Sequence, residues 1–284
     1  MLIPRILTAI VLLAVLLPVL LTHNGPAFAI VATLFFGAAM WEAARLFGQR
    51  LPPLYAGIWT FLFVYSEFGA ANGFEASTAL FALCVALWVV RFTPSLAIGL
   101  PVTGNQPGRR ALGNTLLCTA FTVALFGCFI GIVELYKHSA VYLLSVLVLV
   151  WIADIGAYFS GKAFGKHKLA PSISPGKSWE GAIGGGIAVL LLASLTVPLA
   201  ASTPWLRDTF VVQLQASRGW LITLALLVLL VAASIVGDLF ESQLKRRAGM
   251  KDSSALLPGH GGVLDRIDAL VPVVPLAALV SIWI

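Results

Sequence analysis

Apolar runs close to the ~20 residues needed to cross a hydrocarbon core recur along this whole chain. They cover 5–22, 27–46, 53–66, 76–92, 112–133, 139–160, 180–199, 219–240 and 263–283, and no long polar stretch separates them. Backbone polar groups in lipid must be satisfied within the segment, so such runs imply helices. Composition agrees: 60% of residues are hydrophobic, 11% are charged and the mean hydropathy is +0.98, whereas soluble domains carry about 25% charged residues. The expected fold is an all-α polytopic integral membrane protein of about nine transmembrane helices. The third run is short for a span and leaves a re-entrant segment open. Residues 1–110 supply N-terminal helices, and 111–284 form a second transmembrane region whose polar loops, 161–179 and 241–262, carry the chemistry.

Counting loops alternately places Arg5, Arg45, Arg50, Arg91, Arg109, Arg110, Lys162, Lys166, Lys168, Lys177, Lys245, Arg246, Arg247, Lys251 and Arg266 on one side. Lys137, Arg207 and Arg218 fall opposite, which accounts for all 18 basic residues. Lys and Arg are retained in the cytoplasm, so the amino terminus is expected inside. The first run can also be read as a signal peptide, with Arg5 as its charged end and Ala27-Phe28-Ala29 as a cleavage-like site. Cys84, Cys118 and Cys128 lie within apolar runs without a Cys-x-x-Cys pair, and read as packing residues rather than a disulfide or zinc framework.

Charge is scarce, so each acid inside an apolar run is a functional candidate: carrying one to the bilayer centre costs at least ~2.5 kcal/mol. Asp154, Asp238, Asp265 and Asp268 all fall near the cytoplasmic ends of their segments. Asp265 and Asp268, at i and i+3, are expected to share one face of the last helix's first turn, with Asp238 returning to the same rim. Three carboxylates beside Lys245-Arg246-Arg247 suit Mg²⁺, which takes one or two carboxylates together with waters and phosphate oxygens. Other readings are two acids that cap a helix start, or an ion-pair network joining Asp238 or Glu241 to Lys245 or Arg246. Between them lies Pro258-Gly259-His260-Gly261-Gly262, whose glycines let backbone amides approach an anion or simply form a tight turn, with His260 bonding the turn.

A second basic patch runs from Gly161 to Gly181, including Lys162, Lys166, His167, Lys168 and Ser174-Pro175-Gly176-Lys177-Ser178 directly before a helix. Helix starts favour phosphate, although any cytoplasmic loop would be basic. Gly176-Lys177-Ser178 imitates the end of a Walker loop, but Pro171 occupies the first glycine's position. Gly161, Gly165, Gly181, Gly184, Gly185 and Gly186 are assigned to turns and close helix packing. Trp41, Trp59, Trp88 and Trp220 are read as interfacial or lipid-facing residues.

Ser242, Lys245, Arg246, Lys251, Asp252, His260, Gly261, Gly262, Asp265, Arg266 and Asp268 together resemble, in order and spacing, the signature of the phosphatidate cytidylyltransferase, or CDP-diacylglycerol synthase, family. Gly237-Asp238, the Ser174 to Gly181 stretch and Asp154 in its Trp151-x-x-Asp154 setting also look like family features. The likeness covers roughly the carboxyl-terminal half; the first 110 residues resemble the family as generic spans. It implies transfer of CMP from CTP to phosphatidic acid, giving CDP-diacylglycerol and pyrophosphate, on the inner face of a bacterial membrane by a homodimer with no nucleic-acid partner. In that reading Asp238, Asp265 and Asp268 hold Mg²⁺, with a second cation as an option, and Lys245, Arg246 and Arg266 neutralise phosphates. Ser174, Lys177 and Ser178 meet CTP, and Ser242, Lys251, His260, Gly261 and Gly262 complete the substrate set. A CDP-alcohol phosphotransferase is the nearer rival, but its Asp-Gly-x-x-Ala-Arg opening is absent. A transporter would place its acids near the midplane, commonly in paired repeats, whereas these cluster at one face.

Overall fold

The computed structural model describes residues 14, 17–20, 22, 24–69, 73–100 and 109–284. Most of the expected 5–22 span, with the charged end of the signal-peptide reading, lies outside them, whereas its Ala27-Phe28-Ala29 site lies within the first described helix. Helix α1 (Gly25–Leu46) starts where Asn24 accepts a hydrogen bond from the Ala27 amide at 3.1 Å, and Pro26 sits in its first turn. It ends before Gly48, whose φ of +67° stops the helix. Helix α2 (Pro52–Phe68) begins on two prolines. It is one continuous helix rather than a re-entrant hairpin. Its Tyr55 bonds Thr122 at 2.8 Å, and Glu67 near its far end pairs with Lys137 at 3.2 Å.

Helix α3 (Gly73–Leu87) passes through a π-helical turn (Trp88–Phe92) into α4 (Thr93–Ile98). Pro94 cannot donate to the preceding turn, and the Thr93 hydroxyl reaches the Trp88 carbonyl at 2.8 Å instead. Helices α5 (Arg109–His138) and α6 (Ala140–Phe164) follow, then the antiparallel pair β1 (Lys168–Ala170) and β2 (Ser174–Ser178), and α7 (Trp179–Leu199). The hairpin qualifies the all-α expectation: the 161–179 loop is built on a small two-stranded sheet. Helix α8 (Phe210–Arg247) is broken at Gly219, φ 72° and ψ 172°, so its long limb begins where the 219–240 span was expected and runs beyond it into Glu241 to Arg247.

The expected helix over 263–283 is divided into α9 (Leu264–Ile267) and α10 (Leu270–Ser281). Pro272 has no N–H for the Asp268 carbonyl, so the ladder lapses although Asp268 and Ala269 keep helical dihedrals. Helix α10 is buried on all sides, from Leu270 through Val280, and packs on α3, α5 and α8. That explains its uniformly apolar sequence. Among the described residues, six helical segments are long and apolar enough to cross a membrane by length and composition; α10 is shorter.

Helices α6 and α7 approach closely on glycines. A Cβ on Gly185 would lie 2.5 Å from the Ala153 carbonyl, and one on Gly156 2.8 Å from Ala188 Cβ. Gly161 and Gly181 continue the contact toward the hairpin, whereas Gly186 faces open space and has no such role. On the other side of α7, Ile183, Ile187, Leu191 and Leu195 stand exposed at four-residue spacing.

The polar groups divide between two ends of the bundle. At one end Arg247 bonds Asn114 and the Leu46 carbonyl and lies over the Phe47 ring, and Gln243 reaches the Ser95 carbonyl. At the other, Lys137 pairs with Glu67 and Glu134, His138 lies beside Asp208, and Arg218 bonds the Trp283 carbonyl.

Candidate active site

A cavity of about 600 Å³ opens between the hairpin and helices α6, α7 and α8. Asp154, Tyr158 and Lys162 enter it from α6, Ser174, Gly176 and Lys177 from β2, and Asp238 from α8. Two local features aim the hairpin. Ser178 Oγ accepts the Gly181 amide at 3.1 Å and so caps α7. Glu180 accepts the His167 amide at 3.2 Å and lies 2.6 Å from His167 Nδ1, tying the base of β1 to the first turn of α7.

Lys177 Nζ lies 2.5 Å from Asp238 Oδ2, spanning the cavity from strand to helix, with both side chains partly exposed. Asp154 faces both of them electrostatically. The Ser242 hydroxyl, one turn beyond Asp238, donates to its Oδ1 at 3.4 Å.

Asp268 is the second acid of this group, and Gly237 brings it there. A Cβ on Gly237 would overlap the Asp268 carbonyl and lie 2.8 Å from Pro272 Cδ. Because glycine stands at that point, α8 closes on the break between α9 and α10, and Asp238 becomes the charged neighbour of Asp268. Burial, and then Asp238, push the Asp268 carboxyl up from the usual carboxylate range. The helix lapse at Pro272 and the small residue at 237 therefore act together: one leaves the Asp268 carbonyl outside the ladder, the other lets α8 reach it.

Asp265 does not join the pair. Its Oδ1 accepts Lys245 at 2.7 Å. Its Oδ2 accepts the Ser253 amide and hydroxyl, each at 2.9 Å, and the Gly262 amide at 2.8 Å. Burial would raise this carboxyl, but Lys245 and the Gly262 amide hold it down at about 2. The expected three-aspartate cluster is thus redistributed. Among the described residues no group of three His, Cys, Asp or Glu side chains is arranged to hold a metal ion. Instead Asp265 anchors a buried chain in which Lys245 also meets Glu241, 1% exposed, whose Oε1 has no hydrogen-bond donor. The ion-pair alternative is realised in part: Glu241 takes Lys245, whereas Asp238 takes Lys177.

The glycine turn does present amides to anions, but the anions are the chain's own carboxylates. Gly262 N serves Asp265. The Val263 and Leu264 amides serve Glu42 of α1, at 3.0 and 2.7 Å. Gly259 and Gly261 adopt φ of +77° and +85°, and the turn closes through the Leu257 amide on the Gly261 carbonyl at 2.8 Å. Arg266 folds back onto the His260 carbonyl at 2.9 Å. His260 Nδ1 is buried without a partner. Arg246 is exposed and reaches the Met250 carbonyl at 3.5 Å. Lys251 and Asp252 line a separate, shallow cavity of about 620 Å³ with Trp41 and Arg45.

The cytidylyltransferase family profile matches residues 3–283 of this chain. The chain belongs to the cytidylyltransferase family. It is 38% identical to the phosphatidate cytidylyltransferase of Haemophilus influenzae, over 95% of each chain. It is 41% identical to that of Pseudomonas aeruginosa, over 96% of this chain and 94% of the relative. The Bacillus subtilis protein of the same name is 32% identical over 95% of this chain and 94% of its own. Cytidylyltransferase similarity therefore extends through the amino-terminal helices, which the sequence presents as generic spans.

One consequence is visible in the structure, because Glu42, 0% exposed, reaches from α1 into the signature loop. Sequence reasoning passed over Glu42, Ser253 and Ser254. A signal was present: Glu42 is an acid within the apolar 27–46 run, subject to the same cost as Asp154 and Asp238.

Proposed function

We propose that this chain transfers the cytidylyl group of CTP to phosphatidic acid, leaving CDP-diacylglycerol in the membrane and releasing pyrophosphate. The observation that carries the reading is the Lys177–Asp238 pair at 2.5 Å across a cavity at the polar end of the bundle, with Asp268 beside it. A phosphate monoester has a second pKa near ~6 and is largely dianionic at neutral pH, so its oxygen is already nucleophilic and needs no general base. That oxygen bonds to the α-phosphorus of CTP as the bond to the bridging oxygen breaks, and pyrophosphate leaves with the electron pair.

The obstacle is charge repulsion, so catalysis consists of positioning and of placing cations where negative charge develops. Lys177, with Ser174 beside it in the cavity, would meet the nucleotide phosphates. Lys245 and Arg246 lie on the same terminal segment of α8, and the exposed Arg246 would screen the incoming headgroup. Ser242 orients Asp238. The largely buried Lys245, and Arg266 whose guanidinium folds onto the His260 carbonyl, would hold the loop in place rather than touch phosphate.

Magnesium fits the residues present. Asp238 lines the cavity and its charge acts on Asp268, and Mg²⁺ is typically held by one or two carboxylates with waters and substrate oxygens. These two would hold it, with Asp154 available for a second cation. Asp265 would not, since both its oxygens are engaged by the protein. When bound, the ion supplies charge neutralisation at the phosphates.

The basic set of loops would face the cytoplasm, placing the amino terminus inside and the site on the inner leaflet of a bacterial inner membrane. Six of the described helices are long enough to cross; with the shorter α2 and α10 and the apolar 5–22 run of the sequence, the chain would make nine passages. The exposed apolar face of α7 would meet lipid and a second copy of the chain.

Purified protein with labelled CTP and phosphatidic acid, with and without EDTA, tests this. Labelled lipid formed with Mg²⁺ and abolished by EDTA is expected. An intact protein forming none in either condition would remove the proposal.

A further inference from the structure

Glu42 is fully buried, yet four hydrogen-bonding groups, one of them shared with Asp265, converge on its two oxygens. Oε1 accepts the Val263 amide at 3.0 Å and the Ser254 hydroxyl at 2.5 Å; Oε2 accepts the Leu264 amide at 2.7 Å and lies 3.2 Å from the Ser253 hydroxyl, whose single proton it shares with Asp265. Buried polar groups are tolerated where they are hydrogen-bonded, and these contacts answer the cost of an acid in a largely apolar helix.

All four groups belong to the segment that carries the signature. Ser253 is the joint between two carboxylates, because its hydroxyl lies 3.2 Å from Glu42 Oε2 and 2.9 Å from Asp265 Oδ2, while its amide also serves Asp265. The Leu264 amide, fixed at 2.7 Å, immediately precedes Asp265 in the chain. Asp265 in turn holds Lys245, and Asp268 follows on the next turn. Gly262 fits the arrangement, since a Cβ there would overlap both Ser253 Oγ and Glu42 Oε1.

We infer that Glu42 is a positioning residue for the transfer site: from the amino-terminal half it fixes the 253–264 segment, and through Asp265 it sets where Asp268 stands against Asp238. The inference rests on the cytidylyl-transfer reading. It touches no substrate atom.

The test is Glu42→Gln in the full chain, in detergent or nanodiscs, with kcat and the KM for CTP measured on folded enzyme. Size is preserved, but either orientation of the amide turns an NH₂ group toward a backbone N–H and a serine hydroxyl that themselves donate. The expected result is a kcat lower by about 10-fold or more with the KM for CTP within about twofold, because the nucleotide contacts on the hairpin are untouched. Ser253→Ala should lower kcat in the same manner, by about threefold.

Wild-type kcat in Glu42→Gln, whether or not its melting temperature falls, overturns the inference and leaves a purely structural contact. Should Glu42→Gln not fold, Ser253→Ala decides: an unchanged kcat overturns the inference and a reduced kcat at unchanged KM supports it. A wild-type enzyme that makes no labelled lipid would instead defeat the underlying function, so the two failures are distinguishable.

Discussion

At the scale of single residues, the four aspartates singled out by their apolar surroundings divide into two kinds of work. Asp154 and Asp238 face a cavity and a lysine, with Asp268 under the charge of Asp238, whereas Asp265 is consumed by its own loop. Asp265→Asn keeps the size but sets an NH₂ group against the donors from Ser253, Gly262 or Lys245. Removing one partner of a buried pair costs ~3–5 kcal/mol, and the retained Glu241–Lys245 contact places the loss toward the lower end. Turnover should fall by at least about 100-fold.

The sign of its pH dependence follows from the carboxyl lying at about 2, below the ordinary value near ~3.9. Its stabilisation is fully present above the unfolded value and is lost as the pH falls through the folded one. The difference in melting temperature between wild type and Asp265→Asn should therefore be constant from about pH 5 to 8 and narrow below about pH 4. A gap that widens on acidification would contradict the assignment.

At the scale of elements, the site is made by helix ends and helix breaks. Gly237 against the Pro272 lapse brings α8 onto the start of α10. In Gly237→Ala the added methyl overlaps the Asp268 carbonyl, so the helices must separate by a fraction of an ångström. Misplacements of about 1 Å can cost ~100-fold in rate, and overpacking costs ~1–3 kcal/mol. A kcat reduced by about 10-fold or more with a melting temperature only a few degrees lower is expected; unchanged kcat would show that the approach of Asp238 to Asp268 is immaterial.

Much of this level is legible in the sequence because it is local. The 219–240 run starts where the long limb of α8 does, the Ser174 to Ser178 stretch stands directly before α7 as expected, and Gly181 and Gly185 pack closely as their sequence predicts. The rest depends on tertiary contact. The β-hairpin has few residues and no alternating apolar pattern to announce it. The capture of Asp265 and of the Gly262 amide depends on how the 253–262 loop folds back, and the Glu42 contacts join residues more than 200 positions apart. Periodicity and motif spacing carry no record of such pairings.

At the scale of the whole molecule, among the described residues Lys177, Lys245 and Arg247, assigned to one side by loop counting, make their contacts at the end of the bundle that holds Asp238, and Lys137 and Arg218 make theirs at the other. Native Cys84, Cys118 and Cys128 are buried, so introduced thiols report cleanly. Ser172 in the hairpin turn and Ser202 after α7 are both exposed. In intact spheroplasts a membrane-impermeant maleimide should label Ser202→Cys and spare Ser172→Cys until the membrane is permeabilised. The reverse pattern would invert the topology.

The most direct measurement follows the phosphorus atoms of CTP with phosphatidic acid and Mg²⁺. Label at the α-phosphate should pass into the chloroform-soluble lipid, while label at the γ-phosphate should remain in water as pyrophosphate, in equal amounts. γ-Label appearing in the lipid, or α-label staying wholly in the aqueous phase, would contradict attack at the α-phosphorus and with it the function assigned to this site.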